Sequence, residues 1–298
     1  MWIWMWLASA DASPQSAPGP VIHISIDDAP WQTRRPSAPV DLPPEVVAAY
    51  NRSIVHNLEQ HSVPASVFFN CSRMQPGDDS IAIWSAYTIG NHTAHHKGLN
   101  KTPPTDWLAD ATSCHQTLAA ALPTPPTAFR YPHLQTGPTV EIRDEIAQGL
   151  KELGYYHAPV TVANSEWVYA FAYRKAKADG DAAQQEKVVA AYRKHMLDAL
   201  AAAQARALVV TGHDVPQIVL VHVNELSADH LGDVLSDYEK LGAKFVSLEE
   251  AMRDPVYALP DVYAGKGGMS WLYRVDPPTD SYWFGEEEER ILAQFPME

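Results

Sequence analysis

Short apolar runs alternate with helical patterns along most of this chain, and polar residues follow the ends of the runs. The first run, Val21–Ile26, is rich in β-branched residues and leads directly into Asp27 and Asp28. A later run, Pro216–His222, ends at a histidine. Alternating strands and helices form parallel sheets, in which polar residues at the carboxyl ends of the strands meet at one edge. The pattern therefore predicts an α/β fold, specifically a parallel (β/α) barrel with its site at that edge.

Hydrophobic periodicity and helix-breaking residues divide the chain into predicted strands and helices. We predict strands over the following segments: Val21–Ile26, Ala65–Asn70, Ile89–His92, Ala128–Tyr131, Tyr155–Val162, Pro216–His222 and Lys244–Val246. We predict helices over these segments: Pro44–His61, Thr105–Leu122, Val140–Leu153, Asp229–Leu241 and Leu248–Arg253. Thr105-Asp106 is a candidate N-cap. Phe171–Arg206 reads as a helical insertion, either an outer layer or a lid over a cleft.

Composition excludes several classes of protein. The chain has 298 residues, 46% of them apolar, which suits one large α/β domain or two smaller ones. The net charge of −14, without a basic cluster, argues against nucleic acid as a partner. We find no uninterrupted apolar run near the roughly 18 residues that a membrane span needs. The oligomeric state does not follow from the sequence.

The two ends differ from the middle of the chain. Residues 1–20 begin with seven apolar residues, followed by small residues and a Pro/Ser/Ala linker. They resemble a secretory signal peptide without its basic region, so we expect an exported protein, periplasmic or secreted. Residues 21–254 would form the barrel domain. Residues 255–298 are a C-terminal extension rich in Pro, Trp and Tyr, with an acidic run.

Only two cysteines occur, Cys71 and Cys114, and they lie far apart in the sequence. No Cys-x-x-Cys motif exists, which argues against a thiolate metal site. The pair could form a disulfide in an oxidising compartment, or the two could be separate small buried residues.

Histidines and a carboxylate suggest a metal site instead. His92 and His96 are four residues apart, a spacing that places both on one face of a helical turn. Asp28, at the end of the first strand, offers an oxygen as third ligand. Two imidazoles and one carboxylate leave positions open for water and substrate, as a catalytic ion requires. His95 is a weaker alternative ligand, because it lies three residues from His92.

These residues belong to a longer series of motifs. Its members, in chain order, are Asp27-Asp28, His92-x-x-x-His96, Arg130-x-Pro132, Glu166-Trp167 and Leu220-x-His222. The series resembles the polysaccharide deacetylases, carbohydrate esterase family 4, which include chitooligosaccharide and peptidoglycan deacetylases. The resemblance runs from about Val21 to Met252, and the tail is similar to that of a periplasmic bacterial branch. It implies a distorted (β/α) barrel and metal-dependent removal of acetyl groups from N-acetylated or O-acetylated glycans.

The resemblance also implies a role for each block. Asp28, His92 and His96 would bind a divalent ion, most simply Zn²⁺, with Co²⁺ as a related choice. Asp27 would be the general base toward a metal-activated water. We expect it to point away from the ion, because adjacent strand residues face opposite sides. Arg130 would keep Asp27 ionised and oriented.

The remaining blocks would meet the substrate. His222 would be the general acid that protonates the leaving group. The backbone N–H of Tyr131 would stabilise the oxyanion, and Leu220 would contact the acetyl methyl group. Trp167 would line the pocket or stack on a sugar, and Glu166 beside it is a further candidate substrate-binding residue.

Several positions depart from the family pattern. Ala29 stands where glycine is usual, Lys97 where proline is usual, and His133 where an aromatic residue is common. The fourth block carries Glu166 in place of aspartate. Because the base, the acid and the metal ligands are intact, these departures concern the substrate more than the chemistry. Two other functions stay open: a barrel hydrolase of a small non-sugar amide, and a catalytically silent glycan-binding protein.

Overall fold

The structure is a computed structural model, and it describes residues 19–33, 42–278 and 285–296. The segment interpreted as a signal peptide lies almost entirely outside these residues. Within the described part, strand β1, Val21–Ala29, is buried along its length apart from its first residue. It lies inside a parallel sheet of order β5-β4-β3-β2-β1-β6, and β7 also pairs with it. Both faces of the strand are buried: Ile22, Ile24 and Ile26 pack in the core on one face, and His23 and Ser25 on the other are satisfied by hydrogen bonds.

The elements follow the predicted alternation. The strands are β1 Val21–Ala29, β2 Ser66–Phe69, β3 Thr88–Asn91, β4 Ala128–Phe129, β5 Tyr156–His157, β6 Gln217–His222 and β7 Lys244–Phe245. The helices are α1 Pro44–Gln60, α2 Ser80–Ile83, α3 Pro104–Ala121, α4 Val140–Glu152, α5 Glu166–Ala178, α6 Ala182–Thr211, α7 Glu225–Lys240, α8 Leu248–Ala251, α9 Trp271–Arg274 and α10 Gly285–Gln294. Short 3₁₀ turns occupy Cys71–Arg73, Pro132–Leu134 and Pro255–Ala258.

The sheet curls into an incomplete barrel. Beyond β5 the chain runs without regular pairing until Val162, which forms a parallel bridge with Val219 of β6. The far side of the sheet is therefore joined by single contacts rather than by a full strand. The predicted distorted (β/α) barrel is confirmed. The strand predicted over Tyr155–Val162 is wrong for most of its length, because only Tyr156–His157 pairs with β4.

Residues 166–211 form two helices rather than one insertion. Gly180, at φ 69°, separates α5 from α6, and the Asp181 side chain caps α6 by accepting from Gln184 N–H. Both helices pack against α7, and α6 buries Tyr192 and Met196 in the main core. The region is thus an outer layer of the barrel, as the first of the two interpretations predicted.

The start of α3 differs from the prediction. The N-cap predicted at Thr105-Asp106 is wrong, because α3 begins at Pro104 after the extended Pro103, and no side chain caps it. A proline in the first turn loses no hydrogen bond, and Asp106 there lies near the positive end of the helix dipole.

Of the two interpretations of the cysteines, the structure has the disulfide: Cys71 and Cys114 are bonded, with a Cα–Cα distance of 5.2 Å.

The described part of the C-terminal extension packs onto the barrel. Trp271 and Leu272 of α9 are buried beside Ile218 of β6, and the Trp271 indole N–H donates to the Val256 carbonyl. Among the described residues, no helix is both long enough and apolar enough to cross a bilayer.

Candidate active site

The two aspartates at the end of β1 both face the carboxyl edge of the sheet. Asp28 has φ 68°, a left-handed conformation that aspartate tolerates better than most residues. This conformation breaks the alternation of the strand. As a result, Nε2 of His92 lies 3.6 Å from Oδ2 of Asp27 and 3.8 Å from Oδ1 of Asp28. The expectation that Asp27 points away from the metal ligands is therefore wrong.

The histidine block is a tight turn, not the helical turn that the spacing suggested. Thr93 and His96 both have left-handed backbones, at φ 63° and 54°. Side chains close the turn: Thr93 N–H donates to Oδ1 of Asn91 at 2.7 Å, and His96 N–H donates to Oγ1 of Thr93 at 3.0 Å. The rings of His92 and His96 meet with their centroids 4.7 Å apart.

The turn and β1 together form a three-ligand cluster. One ligand atom each from Asp28, His92 and His96 can be chosen so that all lie within 4.8 Å of one another, and all three residues are buried. His96 Nε2 is 3.5 Å from Asp28 Oδ1. The other ring nitrogen of His92 is 2.8 Å from the Arg130 carbonyl, an acceptor that fixes the tautomer with Nε2 as the ligand. This donor set fits a divalent ion such as Zn²⁺.

The charges around the cluster also suit a metal. Burial lowers the pKa of His92 and of His96, which favours the neutral imidazole that coordinates metal. Burial alone would raise the pKa of Asp28, but the neighbouring Arg73 guanidinium, the largest opposing cause, holds it well below its usual range. Nη1 of Arg73 lies 3.0 Å from Asp28 Oδ1. Asp28 is therefore a carboxylate.

Arg73 is a site residue that sequence reasoning missed. It is 4% exposed, follows β2 in the 3₁₀ turn Cys71–Arg73, and also donates to the Trp31 carbonyl at 3.2 Å. The disulfide from Cys71 to α3 anchors the same turn. Its place shortly after the carboxyl end of β2 was a weak signal, because the turn that carries it is anchored by the disulfide and leaves no local period.

Arg130 holds Asp27 from behind. Its Nη1 reaches both carboxylate oxygens, at 3.0 and 3.2 Å. The rest of the guanidinium donates to the Ala158 carbonyl at 2.7 Å and to Ser25 Oγ at 3.0 Å, and it lies over the Phe68 ring. The side chain is fully buried, with three of its nitrogens engaged. Asp27 is thus fixed in orientation, as its predicted role requires.

His222, at the end of β6, pairs with a buried carboxylate. Its Nδ1 is 2.7 Å from Glu166 Oε2, while Glu166 Oε1 accepts from Asn224 Nδ2 at 2.7 Å and from Ser227 Oγ at 3.3 Å. Burial would lower the pKa of His222. The hydrogen bond and charge of Glu166, together with Asp28 and Asp27, outweigh burial and raise it. Glu166 is fully buried behind the histidine, so this geometry does not support the predicted direct contact with substrate.

A pocket of about 840 Å³ opens above these groups. Trp167 and Leu220 line it, as expected of substrate-binding residues. The side chain of Tyr131 does not line it: it is 3% exposed and stacks on Trp107 with centroids 5.7 Å apart. His133 takes the pocket position in this turn, at φ 56°, with its ring 4.4 Å from that of His96.

Comparisons with known proteins agree with this architecture. The family profile for polysaccharide deacetylase matches residues 15–158. A search of curated proteins gives no significant match. Among solved structures, a family 4 carbohydrate esterase from Streptomyces lividans, in complex with acetate, is 13% identical with a TM-score of 0.50; the match covers 79% of this chain and 97% of that one. A polysaccharide deacetylase from Bacillus cereus is 13% identical with a TM-score of 0.51, covering 76% and 91%.

A third solved structure shares this fold. It is a mutant, with restored enzymatic activity, of a carbohydrate esterase family 4 pseudoenzyme from Bacillus anthracis. It is 15% identical with a TM-score of 0.50, and the match covers 78% of this chain and 68% of that one. Fold and site define an α/β barrel of the carbohydrate esterase type. The chain is similar in sequence to the polysaccharide deacetylase family over residues 15–158, and its fold matches that of the solved members.

Proposed function

We propose that this protein is a metal-dependent hydrolase that removes acetyl groups from N-acetylated, or O-acetylated, glycans. One observation carries the proposal: all six residues that the reaction needs converge on one pocket or directly beneath it, although they are scattered over nearly two hundred positions. They are Asp27, Asp28, His92, His96, Arg130 and His222. None of them is substituted, in contrast to what a silent binding protein on this fold would show.

Asp28, His92 and His96 would hold the divalent ion, with zinc or cobalt as the candidates. When bound, such an ion polarises the acetyl carbonyl and lowers the pKa of water toward about 7. The protein contributes an ionised carboxylate and neutral imidazoles, in a pocket whose floor is buried. Arg73 keeps Asp28 ionised, so protons compete poorly for that ligand.

Asp27 would remove the proton from the attacking water. Its carboxylate lies beside the His92 ligand nitrogen, at 3.6 Å, and so next to the place where the nucleophile must sit. Arg130 contacts both oxygens of Asp27 and prevents the carboxylate from rotating. A general base must be held within hydrogen-bond reach of the proton that it accepts, and the contact with Arg130 fixes the carboxylate for that transfer.

His222 would return a proton to the departing nitrogen or oxygen. Glu166 engages Nδ1, which leaves Nε2 for the substrate. The raised pKa of His222 keeps the imidazolium populated closer to neutral pH, and that form is the one that can donate. Leu220 and Trp167 would contact the acetyl group and the sugar. The backbone N–H of Tyr131 is the oxyanion donor that the family resemblance implies.

We also propose that the protein is exported. The Cys71–Cys114 disulfide supports this, because such bonds persist in oxidising compartments and are rare in the cytosol. A glycan substrate outside the cytosol is consistent with that location.

Acetate release tests the proposed activity. Purified protein loaded with zinc should release acetate from chitooligosaccharides, peptidoglycan fragments or acetylated xylan. Dialysis against a chelator should abolish release from the active substrate, and zinc or cobalt should restore it. Chelated protein that stays fully active would overturn the metal dependence. Release from none of these glycans would overturn the proposed substrate class.

A further inference from the structure

The C-terminal extension forms part of the pocket wall. We define the C-terminal strap as residues 261–274. Tyr263, Lys266 and Met269 from the strap line the same pocket as His222 and the metal cluster. The strap is well anchored: Arg274 pairs with Asp261 at 2.8 Å across its base. It therefore forms one wall of the site.

The strap meets the barrel on both sides of the pocket. On one side, Gly268 lies so close to His133 that a Cβ added there would be 1.8 Å from the His133 carbonyl oxygen. Only a residue without a side chain permits this approach. On the other side, Trp271 N–H donates to the Val160 carbonyl at 2.6 Å, in the segment that runs directly into α5.

The remaining walls of the pocket also contact one another. From α5, Arg174 Nη2 reaches the Gln32 carbonyl in the loop after β1, at 3.4 Å. The preceding carbonyl in that loop, Trp31, accepts from Arg73. The turn of Arg73 is joined to the histidine block by the hydrogen bond from Ser72 N–H to the Ala94 carbonyl, at 3.1 Å.

The histidine block in turn contacts the turn of His133, because the ring of His96 packs against that of His133, with centroids 4.4 Å apart. Among the described residues, each wall of the pocket thus contacts the next. A groove that accepts the interior of a polymer needs two open ends, whereas these described walls are joined to one another around the pocket. The volume of about 840 Å³ is that of a small-ligand pocket, within the usual range of roughly 300–1,000 Å³.

We infer that the pocket admits only the end of an acetylated chain, or a short oligosaccharide, and excludes internal sugars of a polymer. This inference rests on the proposed function. It assigns the C-terminal strap a role in substrate selection: Tyr263, Lys266 and Met269 block the path that the continuing chain would take. Excluding the longer substrate by steric clash is a common route to specificity.

Fragmentation mass spectrometry of the products tests the inference. Zinc-loaded protein is incubated with chitooligosaccharides of two to six units, with acetylated xylooligosaccharides, and with the corresponding polymers. We expect acetyl loss from a terminal unit only, and a rate per acetyl group on the polymer lower by at least about a hundredfold. The variant Tyr263→Ala/Met269→Ala shortens the wall, and should begin to deacetylate internal units and raise the polymer-to-oligomer ratio by about tenfold.

Leu259→Ala is the matched control. Leu259 belongs to the same extension but is 41% exposed and outside the pocket, so its product pattern should equal that of the wild type. Wild-type protein that removes internal acetyl groups as readily as terminal ones would overturn the inference and leave the proposed function standing. Absence of acetate from every substrate would overturn both.

Discussion

Asp27 and Asp28 are adjacent in sequence, yet their surroundings differ, in line with the different roles that we propose for them. Asp28 lies between the Arg73 guanidinium and the two imidazoles, as a metal ligand should. Asp27 is held by Arg130, and its carboxylate lies 3.6 Å from the His92 ring. The left-handed backbone of Asp28 is what allows two successive side chains to share one site.

Asp27→Asn should therefore separate catalysis from metal binding. The amide keeps the shape of the side chain but cannot accept the proton, so kcat should fall by about 10²–10⁴-fold. Metal content, measured by atomic emission, should stay at the wild-type stoichiometry, because the three ligands are untouched. A variant with normal turnover would contradict the assignment of Asp27 as the base.

The pairing of Glu166 with His222 predicts a specific pH dependence. The folded pKa of His222 lies above its ordinary value, so the proton needed for the leaving group is present at lower pH and is lost as the pH rises through that folded value. Glu166→Gln removes the carboxylate that raises the pKa most. The alkaline limb of the kcat profile should consequently move to lower pH.

Glu225→Gln is the control for that experiment, since it makes the same chemical change on a carboxylate that pairs with Arg174 instead. Its alkaline limb should match that of the wild type. If both variants shift the limb equally, the effect is one of overall charge and His222 is not the acid. An unmoved limb in Glu166→Gln would lead to the same conclusion.

At the scale of elements, periodicity predicted the regular parts well and the turns poorly. Burial decides where an apolar strand or an amphipathic helix lies, and each of these elements leaves a pattern of apolar residues in the sequence. The turn of His92 to His96 depends on Asn70, whose side chain donates to the His92 and Thr93 carbonyls from a neighbouring strand end. Such a long-range hydrogen bond leaves no local period, and the four-residue spacing suggested a helix instead.

The same limit applies to Arg73 and to the C-terminal strap. Both reach the pocket only through tertiary contacts, one anchored by the disulfide and the other by Arg274. The clustering of Asp28, His92 and His96 could be predicted because each follows the end of a strand, and parallel strands bring their ends together. Residues that arrive from a turn or an extension carry no comparable signal.

The disulfide gives a prediction about elements. It links the turn Cys71–Arg73 to α3 across 43 residues, and closing a loop of that length restricts the unfolded chain. Cys71→Ala/Cys114→Ala should lower the free energy of unfolding by about 2–4 kcal/mol in urea titrations without reductant. Wild type with reductant should resemble the variant. Equal stability of the oxidised wild type and the variant would show that the bond does not form in solution.

At the scale of the whole molecule, the ligands tie together distant parts of the barrel. Asp28 ends β1, whereas His92 and His96 follow β3, and β2 lies between these strands. An ion held by all three would stabilise the folded chain and not the unfolded one. Ligand-linked stabilisation is about 2.7 kcal/mol at a hundredfold excess over Kd.

Thermal unfolding with added zinc measures this coupling without reference to activity. At that excess we expect the Tm of chelator-treated wild type to rise by about 4 °C. His92→Ala should lose most of the rise. His95→Ala is the matched control, because that neighbouring imidazole pairs with Asp110 at the surface and is not in the cluster, so the rise should persist. A rise in His92→Ala as large as in the wild type would mean that zinc binds elsewhere, and the three-ligand site would have to be abandoned.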